Sequence, residues 1–342
     1  MTPVTPALKN WLVGLPKVEL HLHLEGAIPL PALWELIKKY GGDPDAPSLQ
    51  ALQDRFRYQD FPHFLDMWMW KQGFLRDYED LTFIAEAVAR DLAAQNIRYV
   101  EAFYSPPDLF GNCMHTQTIT EAMRKGLDRV PEIEVKLIAD LVRHLGPERG
   151  RLTLREVNEV KSQGILGIGI GGAEHLAPPA PFAKVYEEAR RLGFHTTAHA
   201  GEAAGAESVW GALNDLKVER IGHGTRAVED PQLVETLAER QLPVEMCPIS
   251  NLRTGVTNDI RQHPIRSFFE KGLLVSVNTD DPKMFNNTLV DEYSLLMEAL
   301  DFTPAEIQTL VINAIRSSWL PEGRKQTMTR QFVNSPGWNF PD

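Results

Sequence analysis

The chain has 342 residues, of which 43% are hydrophobic and 24% are charged, so a well-packed globular core is expected. Its formal net charge is −11 at pH 7. This charge argues against broad binding to nucleic acids or anionic membranes, because no excess of basic residues is available to neutralise phosphates.

Two features of the sequence concern the cellular location. The N-terminal segment lacks a positive region followed by an apolar core, so no signal peptide is predicted, and no apolar run approaches the ~20 residues of a membrane span. Only Cys113 and Cys247 are present, which fits a reducing compartment better than a disulfide framework. We therefore expect a soluble, cytoplasmic monomer or small homo-oligomer with no nucleic-acid or membrane partner.

Short apolar runs alternate with amphipathic helical segments along the chain. The alternation predicts a parallel sheet, and eight such units favour a (β/α)8 TIM barrel over an open doubly wound sheet. No G-x-G-x-x-G motif follows the first strand, which weakens the dinucleotide-binding alternative. The runs predicted as strands are Val18–His23, Ile97–Tyr104, Val135–Val142, Ile165–Ile170, Phe194–His199, Arg220–Ile221, Pro243–Cys247 and Leu274–Asn278.

Extra helices are predicted at two places in this barrel. Pro31–Tyr40, Phe61–Phe74 and Asp80–Ala94 precede the second strand, and further helices follow from Leu289 onward. No linker or low-complexity segment interrupts the alternation. Residues 1–342 are therefore expected to form a single barrel domain, with insertions after strand one and at the C-terminus.

The first strand ends in two histidines separated by one residue. Alternate side chains of a strand share a face, so His21 and His23 point the same way and form half of a metal site. The alternative is a pair of core histidines bonded to the backbone. Glu25 follows two residues later, within reach of whatever the metal holds.

Further metal ligands are expected after later strands, because the C-terminal ends of barrel strands converge on one face. His199 is the natural third imidazole and Asp280 the carboxylate, and three imidazoles, one carboxylate and an open position describe a catalytic zinc site. His195 is the competing imidazole, but it lies deeper in the same strand, which favours a structural role.

Three more polar residues stand near these ligands in the sequence. Glu202 is either a helix N-terminal carboxylate favoured by the dipole or, as we favour, a proton shuttle beside an activated water. His223, between two glycines, is either a loop histidine or an imidazole that orients the attacking water. Asp281 adjoins Asp280, and because adjacent carboxylates repel, a nearby cation helps to explain the pair.

Five stretches of the sequence resemble the adenosine deaminase family of the metal-dependent amidohydrolase superfamily. They occur in the family's order, and the likeness runs from about Leu15 to Pro321. Each motif alone is weak, but the set is specific. The matching stretches are Leu15–Ile28 (LPKVELHLHLEGAI), Thr197–Glu202 (TAHAGE), Arg220–Thr225 (RIGHGT), Cys247–Asn251 (CPISN) and Val277–Pro282 (VNTDDP).

The resemblance implies a zinc-dependent purine aminohydrolase with one Zn²⁺ per chain. Binuclear relatives in the superfamily often carry a lysine at the end of strand four, where this chain has Gly169 and no lysine, which favours a single ion. The implied metal ligands are His21, His23, His199 and Asp280.

The resemblance also implies how an adenine nucleoside or a related compound would be held. Glu202 would donate a proton to purine N1, and His223 would assist the water that attacks C6. Asp281 would contact N7, and the backbone amide of Gly172 would contact N3. The implied reaction exchanges the 6-amino group for oxygen and releases ammonia.

Some residues depart from the family pattern and leave the substrate open. Adenosine-specific members usually carry Asp where this chain has Glu25, a position that contacts the ribose 5′-hydroxyl, and Glu occurs in relatives that act on other adenine compounds. Arg143 or Arg149 would bind an acidic group on a modified 5′ position, or would be a solvated loop cation. The stripe Phe61, Phe64, Met67 and Trp68 is typical of a core helix, and the resemblance implies a lid over the ligand.

We therefore expect deamination of adenosine or a close adenine derivative. The alternatives are deamination of free adenine or of a 5′-modified adenosine such as aminodeoxyfutalosine, and hydrolysis of another target such as a cyclic amide. A catalytically silent purine-binding protein is a further alternative, which predicts disrupted catalytic positions. Those positions are intact in this sequence.

Overall fold

A computed structural model describes residues 4–58, 60–112 and 114–340. Eight strands form one sheet in which every strand is parallel to the next one along the chain. The predicted (β/α)8 TIM barrel is confirmed. The strands are β1 (Lys17–His23), β2 (Ile97–Tyr104), β3 (Glu134–Asp140), β4 (Ile165–Gly169), β5 (His195–Ala200), β6 (Arg220–His223), β7 (Val244–Met246) and β8 (Val275–Val277).

Helices surround the sheet. Those before β2 are α1 (Pro6–Gly14), α2 (Leu30–Lys39), α3 (Leu49–Arg55), α4 (Phe61–Gln72) and α5 (Tyr78–Ala94). The helices between later strands are α6 (Thr116–Leu127), α7 (Gly146–Glu159), α8 (Ala183–Arg191), α9 (Ala206–Gly211), α10 (Pro231–Arg240), α11 (Pro248–Arg253) and α12 (Ile265–Glu270). After β8 come α13 (Pro282–Phe285), α14 (Leu289–Leu300), α15 (Pro304–Ser317) and α16 (Glu322–Val333).

Helices α1 and α3 were not predicted from the sequence. Both are short and each buries few residues, so their apolar periodicity is weak. Their N-terminal signals are clear in retrospect, because Thr5 caps α1 ahead of a proline and Ser48 caps α3. Among the described helices, none is long and apolar enough to cross a membrane. Cys247 is buried with a free thiol, and Cys113 lies outside the described residues.

The barrel closes between its first and last strands at a single bridge, which pairs Leu22 with Asp280. The backbone N–H of His23 donates to the carbonyl of Asp280 at 2.9 Å, and the N–H of Asp280 donates to the carbonyl of His21 at 3.0 Å. The bridge lies beyond the end of β8, at the mouth of the barrel. Closure of the sheet therefore brings a carboxylate between two histidines.

Helices α5 and α6 pack closely through a glycine. A Cβ on Gly126 would lie 2.2 Å from the carbonyl oxygen of Thr82 and 2.8 Å from Cβ of Ala85. The hydroxyl of Thr82 also donates to the carbonyl of Ala122 in α6 at 3.1 Å. Only a residue without a side chain leaves room for this approach.

We expect Gly126→Ala to lower the free energy of unfolding by about 1–3 kcal/mol, because the added methyl group forces the two helices apart. The matched control is Gly323→Ala in α16, where a Cβ meets nothing within 4 Å. The control should be neutral or stabilising by about 0.5–1 kcal/mol. Chemical denaturation of both variants measures the difference, and equal stabilities would contradict the packing argument.

Candidate active site

Four side chains at the mouth of the barrel converge on one point. Nε2 of His199 lies 3.0 Å from Nε2 of His21 and 3.1 Å from Nε2 of His23. Oδ1 of Asp280 lies 3.4 Å from Nε2 of each of those two histidines. All four residues are buried, and their ligand atoms lie within 4.8 Å of one another. The structure thus brings together the whole predicted ligand set.

The spacing and the donor set fit a metal ion. Atoms bound tetrahedrally at about 2.0–2.1 Å from zinc lie about 3.3 Å apart, close to the separations of these nitrogens and this oxygen. Neutral imidazole nitrogens aimed at each other at this distance repel unless a proton or a cation stands between them. Three imidazoles and one carboxylate are also the ligand types that zinc prefers.

A buried charge network holds His21 from the side away from the cluster. Nδ1 of His21 lies 2.9 Å from Oε2 of Glu245, so the ring can donate a hydrogen bond to that carboxylate. The guanidinium of Arg220 pairs with Glu245 and with Glu101 inside the barrel. Its charge is further stabilised by the ring of Trp319, whose centroid lies 3.6 Å away. A carboxylate behind a ligating histidine fixes the ring's orientation and raises its basicity.

Strained backbone marks two of the site residues. Asp280 has φ +66° and His223 has φ +61°, in the left-handed region that residues other than glycine rarely adopt. Asp280 is held there by the bridge to β1 and by the hydroxyl of Ser250, which donates to Oδ2 at 2.6 Å. Strain of this kind is retained where the surrounding structure requires it, as at functional sites.

Glu202 lies close to the cluster in a turn held by another carboxylate. Its Oε2 is 3.6 Å from Nε2 of His223, which in turn lies 4.0 Å from Oδ2 of Asp280. Burial raises the pKa of Glu202 well above its ordinary value, and the charge of Asp280 adds to this shift. Glu174 orients the turn by accepting hydrogen bonds from the four consecutive backbone N–H groups of residues 201–204, at 2.7–3.0 Å.

Asp281 is buried against the loop that follows β1. A Cβ on Gly26 would lie 1.6 Å from Oδ1 of Asp281, so only glycine fits beside this carboxylate. No protein group in the described part of the chain bonds to that oxygen, and the residue lines the central cavity. Burial, followed by the neighbouring charge of Asp280, raises the pKa of Asp281 well above its ordinary value.

Two predicted substrate contacts lie in different surroundings. Gly172 lines the cavity with φ +94°. Among the described residues, Glu25 is not one that lines the cavity. Its Oε1 accepts a hydrogen bond from the N–H of Ser105 at 2.8 Å, and its Oε2 is buried without a bond from any described group. Lys71 donates to the carbonyl of Glu25 at 2.5 Å. Burial raises the pKa of Glu25 to about 7.

The basic residues considered from the sequence do not reach the cavity wall. Arg143 is fully buried and its guanidinium donates to backbone carbonyls, among them those of His199 and Ala177. Arg149 is ion-paired with Glu156 at 3.3 Å. His195 lies at the opposite end of β5, where it is partly exposed and stacks on Trp319 at 4.9 Å, which is the structural role expected for it.

The central cavity has a volume of about 320 Å³ and opens at the C-terminal ends of the strands. Helix α4 covers one side: Phe64 and Trp68 pack with Met284 and Phe285 in a small cluster separate from the main core. Phe61, Phe64 and Trp68 also line the cavity. The stripe thus serves both packing and enclosure of the cavity. A volume of this size suits a small organic ligand.

Several carboxylates around the site were not predicted from the sequence. Glu174 and Glu245 act by holding backbone or side chains that are distant in the sequence. Asp108 and Asp140 line the cavity after β2 and at the end of β3. Burial raises the pKa of Asp140 to about 6. For Glu245, the sequence did offer one signal, because a charged residue between two apolar residues of a short strand indicates a buried and paired carboxylate.

Comparison with known proteins gives consistent matches over nearly the whole chain. A profile of the adenosine deaminase family matches residues 16–334. Adenine deaminase from Chlorobium phaeobacteroides is 34% identical over 323 residues, covering 93% of this chain and 96% of that protein. Aminodeoxyfutalosine deaminase from Streptomyces avermitilis is 32% identical over 323 residues, covering 93% and 90%.

Solved structures show the same fold. A zinc-bound amidohydrolase from Burkholderia ambifaria superposes with a TM-score of 0.89 at 27% identity, covering 97% of this chain and 93% of that chain. The N6-methyl-AMP deaminase of Arabidopsis thaliana superposes with a TM-score of 0.85 at 25% identity, covering 97% and 100%.

We expect Glu245→Gln to weaken zinc binding by about 10- to 100-fold, because the charged acceptor behind His21 is lost. Competition with a chromophoric chelator measures the affinity. Glu101→Gln is the matched control, since Glu101 pairs with the same arginine without contacting His21. Equal loss of zinc affinity in both variants would assign the effect to Arg220 alone.

Proposed function

Because the chain belongs to the adenosine deaminase family, we propose that it is a zinc-dependent hydrolase that removes the 6-amino group of adenosine or a closely related adenine compound. The observation that carries the proposal is the convergence of the metal cluster, Glu202 and Asp281 on one cavity. The strands of one sheet and the loops directly after them supply all these groups, which supports a single hydrolase domain over residues 1–342. A cytoplasmic location stays a prediction.

The metal site is proposed to hold one Zn²⁺. When bound, zinc supplies an activated water at neutral pH. The chain's residues provide three imidazoles and one carboxylate, the ligand types that zinc takes, and three of these four residues line the cavity. The residues that would hold the ion are His21, His23, His199 and Asp280.

Glu202 is proposed to move protons during the reaction. Its carboxyl group would donate a proton to purine N1, which makes C6 more electrophilic, and would take up a proton from the attacking water. Glu202 would pass the proton taken from water to the amino group, the C6–N bond would break as ammonia leaves, and the added hydroxyl would return a proton to Glu202 to leave a 6-oxo group. Its burial and its 3.6 Å distance from His223 support this role.

His223, Asp281 and Gly172 are proposed to position the reactants. Nε2 of His223 faces both Glu202 and Asp280, so it can orient the water between them. Burial raises the pKa of Asp281, so its carboxyl group can keep a proton and donate a hydrogen bond to purine N7. The backbone amide of Gly172 is proposed to meet N3. Glu25 stays a proposed contact to the far end of the substrate.

The identity of the adenine compound is tested by ammonia release. The names of the two sequence relatives support free adenine and aminodeoxyfutalosine as alternatives to adenosine. Zinc-loaded protein should release ammonia from at least one of adenine, adenosine, 5′-modified adenosines or N6-substituted adenines. A parallel assay with cyclic amides examines the alternative hydrolase activity. Silence on the whole adenine panel would overturn the proposal.

We expect Glu202→Gln to lower kcat by about 10²- to 10⁴-fold, because the amide cannot transfer the proton. Zinc content and ligand affinity should be retained, which equilibrium dialysis measures. Glu187→Gln, an exposed change on α8, is the control and should leave turnover as it is. Unchanged turnover in Glu202→Gln would remove this residue from the mechanism.

We expect the purified protein to contain one equivalent of zinc per chain by elemental analysis. His199→Ala removes the imidazole that contacts both other histidines, so its zinc content should fall well below one equivalent. His195→Ala is the control, because this histidine lies at the other end of the same strand. Full zinc occupancy in His199→Ala would contradict the ligand assignment.

A further inference from the structure

The wall of the central cavity is strongly acidic. Among the described residues, no lysine or arginine lines it. The carboxylates that line it are Asp66, Asp108, Asp140, Glu202, Asp280 and Asp281. Burial raises the pKa values of Glu202 and Asp281 beside the metal cluster, whereas Asp66 and Asp108 come from α4 and from the segment after β2.

The nearest buried cations are held by other groups. Lys71 donates to the carbonyl of Glu25, and its Nζ lies 3.8 Å from the centroid of the Trp68 ring. Burial lowers its pKa to about 8. The guanidinium of Arg143 donates hydrogen bonds to backbone carbonyls. A phosphate entering the cavity would therefore meet carboxylates without a lysine or arginine to pair with, and His144 is the imidazole that lines the wall on this side.

Asp108 is the carboxylate best placed to contact the part of the ligand that does not react. It follows β2 in the 3₁₀ helix Pro106–Asn112 and is half-buried on the cavity wall. Nε1 of Trp68 donates to its Oδ2 at 2.8 Å. In the described part of the chain this is the one hydrogen bond made to the carboxylate, so Oδ1 can accept another from a ligand.

The strand order places Asp108 away from the reacting groups. The metal cluster, Glu202, His223 and Asp281 come from β1, β5, β6 and β8, whereas Asp108 follows β2. His144, which follows β3, extends its ring to Gly172, since a Cβ there would lie 2.9 Å from Nδ1. With C6 and N1 of a purine at the metal, and N3 at Gly172, the neighbouring N9 and its substituent face this side.

We infer that Asp108 is a specificity-determining residue that selects adenine compounds with an uncharged hydrogen-bond donor on the N9 side and rejects their 5′-phosphates. The donor is either N9–H of a free base or a hydroxyl of a neutral sugar. This inference rests on the proposed function and deepens it by separating bases and nucleosides from nucleotides. The solved N6-methyl-AMP deaminase has the same fold, so the fold alone does not make this distinction.

The test compares the neutral adenine compound that is deaminated fastest with adenosine 5′-monophosphate. We expect wild-type kcat/KM to be at least about 100-fold higher for the neutral compound, because the phosphate is desolvated among carboxylates. Asp108→Asn should reduce kcat/KM for the neutral compound about 10-fold or more, mainly through KM, because a charge-assisted hydrogen bond is lost. The ratio of kcat/KM for the neutral compound to kcat/KM for adenosine 5′-monophosphate should fall at least tenfold.

Two further variants separate selection by charge from a structural role. Trp68→Phe removes the hydrogen bond to Asp108 but keeps the carboxylate, so the preference over the phosphate should survive. Asp215→Asn removes one negative charge outside the cavity and should leave both kinetic constants within about twofold, because exposed charges are screened. If Trp68→Phe narrows the preference as much as Asp108→Asn does, the inference fails.

A binding experiment separates failure of this inference from failure of the proposed function. Calorimetry on zinc-loaded Glu202→Gln, with and without Asp108→Asn, gives the affinities for the neutral compound that binds most tightly among adenine, adenosine and 5′-modified adenosines, and for adenosine 5′-monophosphate, without turnover. Equal affinities for the two ligands, or equal wild-type rates, would overturn the role of Asp108 alone. A retained preference for the neutral ligand, with no ammonia from any compound, would overturn the proposed reaction and leave the selection by Asp108 standing.

Discussion

The site depends on the bridge that closes the barrel between Leu22 and Asp280. The two backbone hydrogen bonds at this bridge join Asp280 to His21 and His23, so the same contacts complete the sheet and set the distances between three metal ligands. A shift of one residue in this pairing would turn the carboxylate to the opposite face. The left-handed backbone of Asp280 is retained because both strands fix it.

Charge is the second constraint on this molecule. Glu101 and Glu245 are fully buried in the barrel, where Arg220 pairs with both and so links the floor of the barrel to His21. At the mouth, carboxylates outnumber the basic groups that could neutralise them. The proposed metal ion would compensate the charge of Asp280 at the inner end of the cavity. Carboxylates farther from the cluster, such as Asp108, face the ligand. The proposed metal site and the proposed selection of the substrate therefore depend on the same acidic wall.

Most of the fold could be predicted because the strands are buried on both faces. Such strands appear as short apolar runs, and the predicted bounds agree with the observed ones to within about two residues. The short helices α1 and α3 escaped prediction because they bury little. The convergence of His21, His23, His199 and Asp280 could also be predicted, because residues at the C-terminal ends of barrel strands meet on one face. The supporting carboxylates could not be predicted, because Glu245 is 224 residues from His21 in the chain and the hydrogen bonds to Glu174 come from backbone N–H groups.

The sequence by itself determined the order of the elements and the chemistry at each strand end, because periodicity and residue type are local properties. Only the tertiary structure decided which charges face the cavity. It left Arg143 bonded to backbone carbonyls, placed the Glu25 carboxylate beside the N–H of Ser105, and put Asp108 on the wall. Side-chain direction and burial depend on contacts between distant segments, and the electrostatic character of a cavity follows from them.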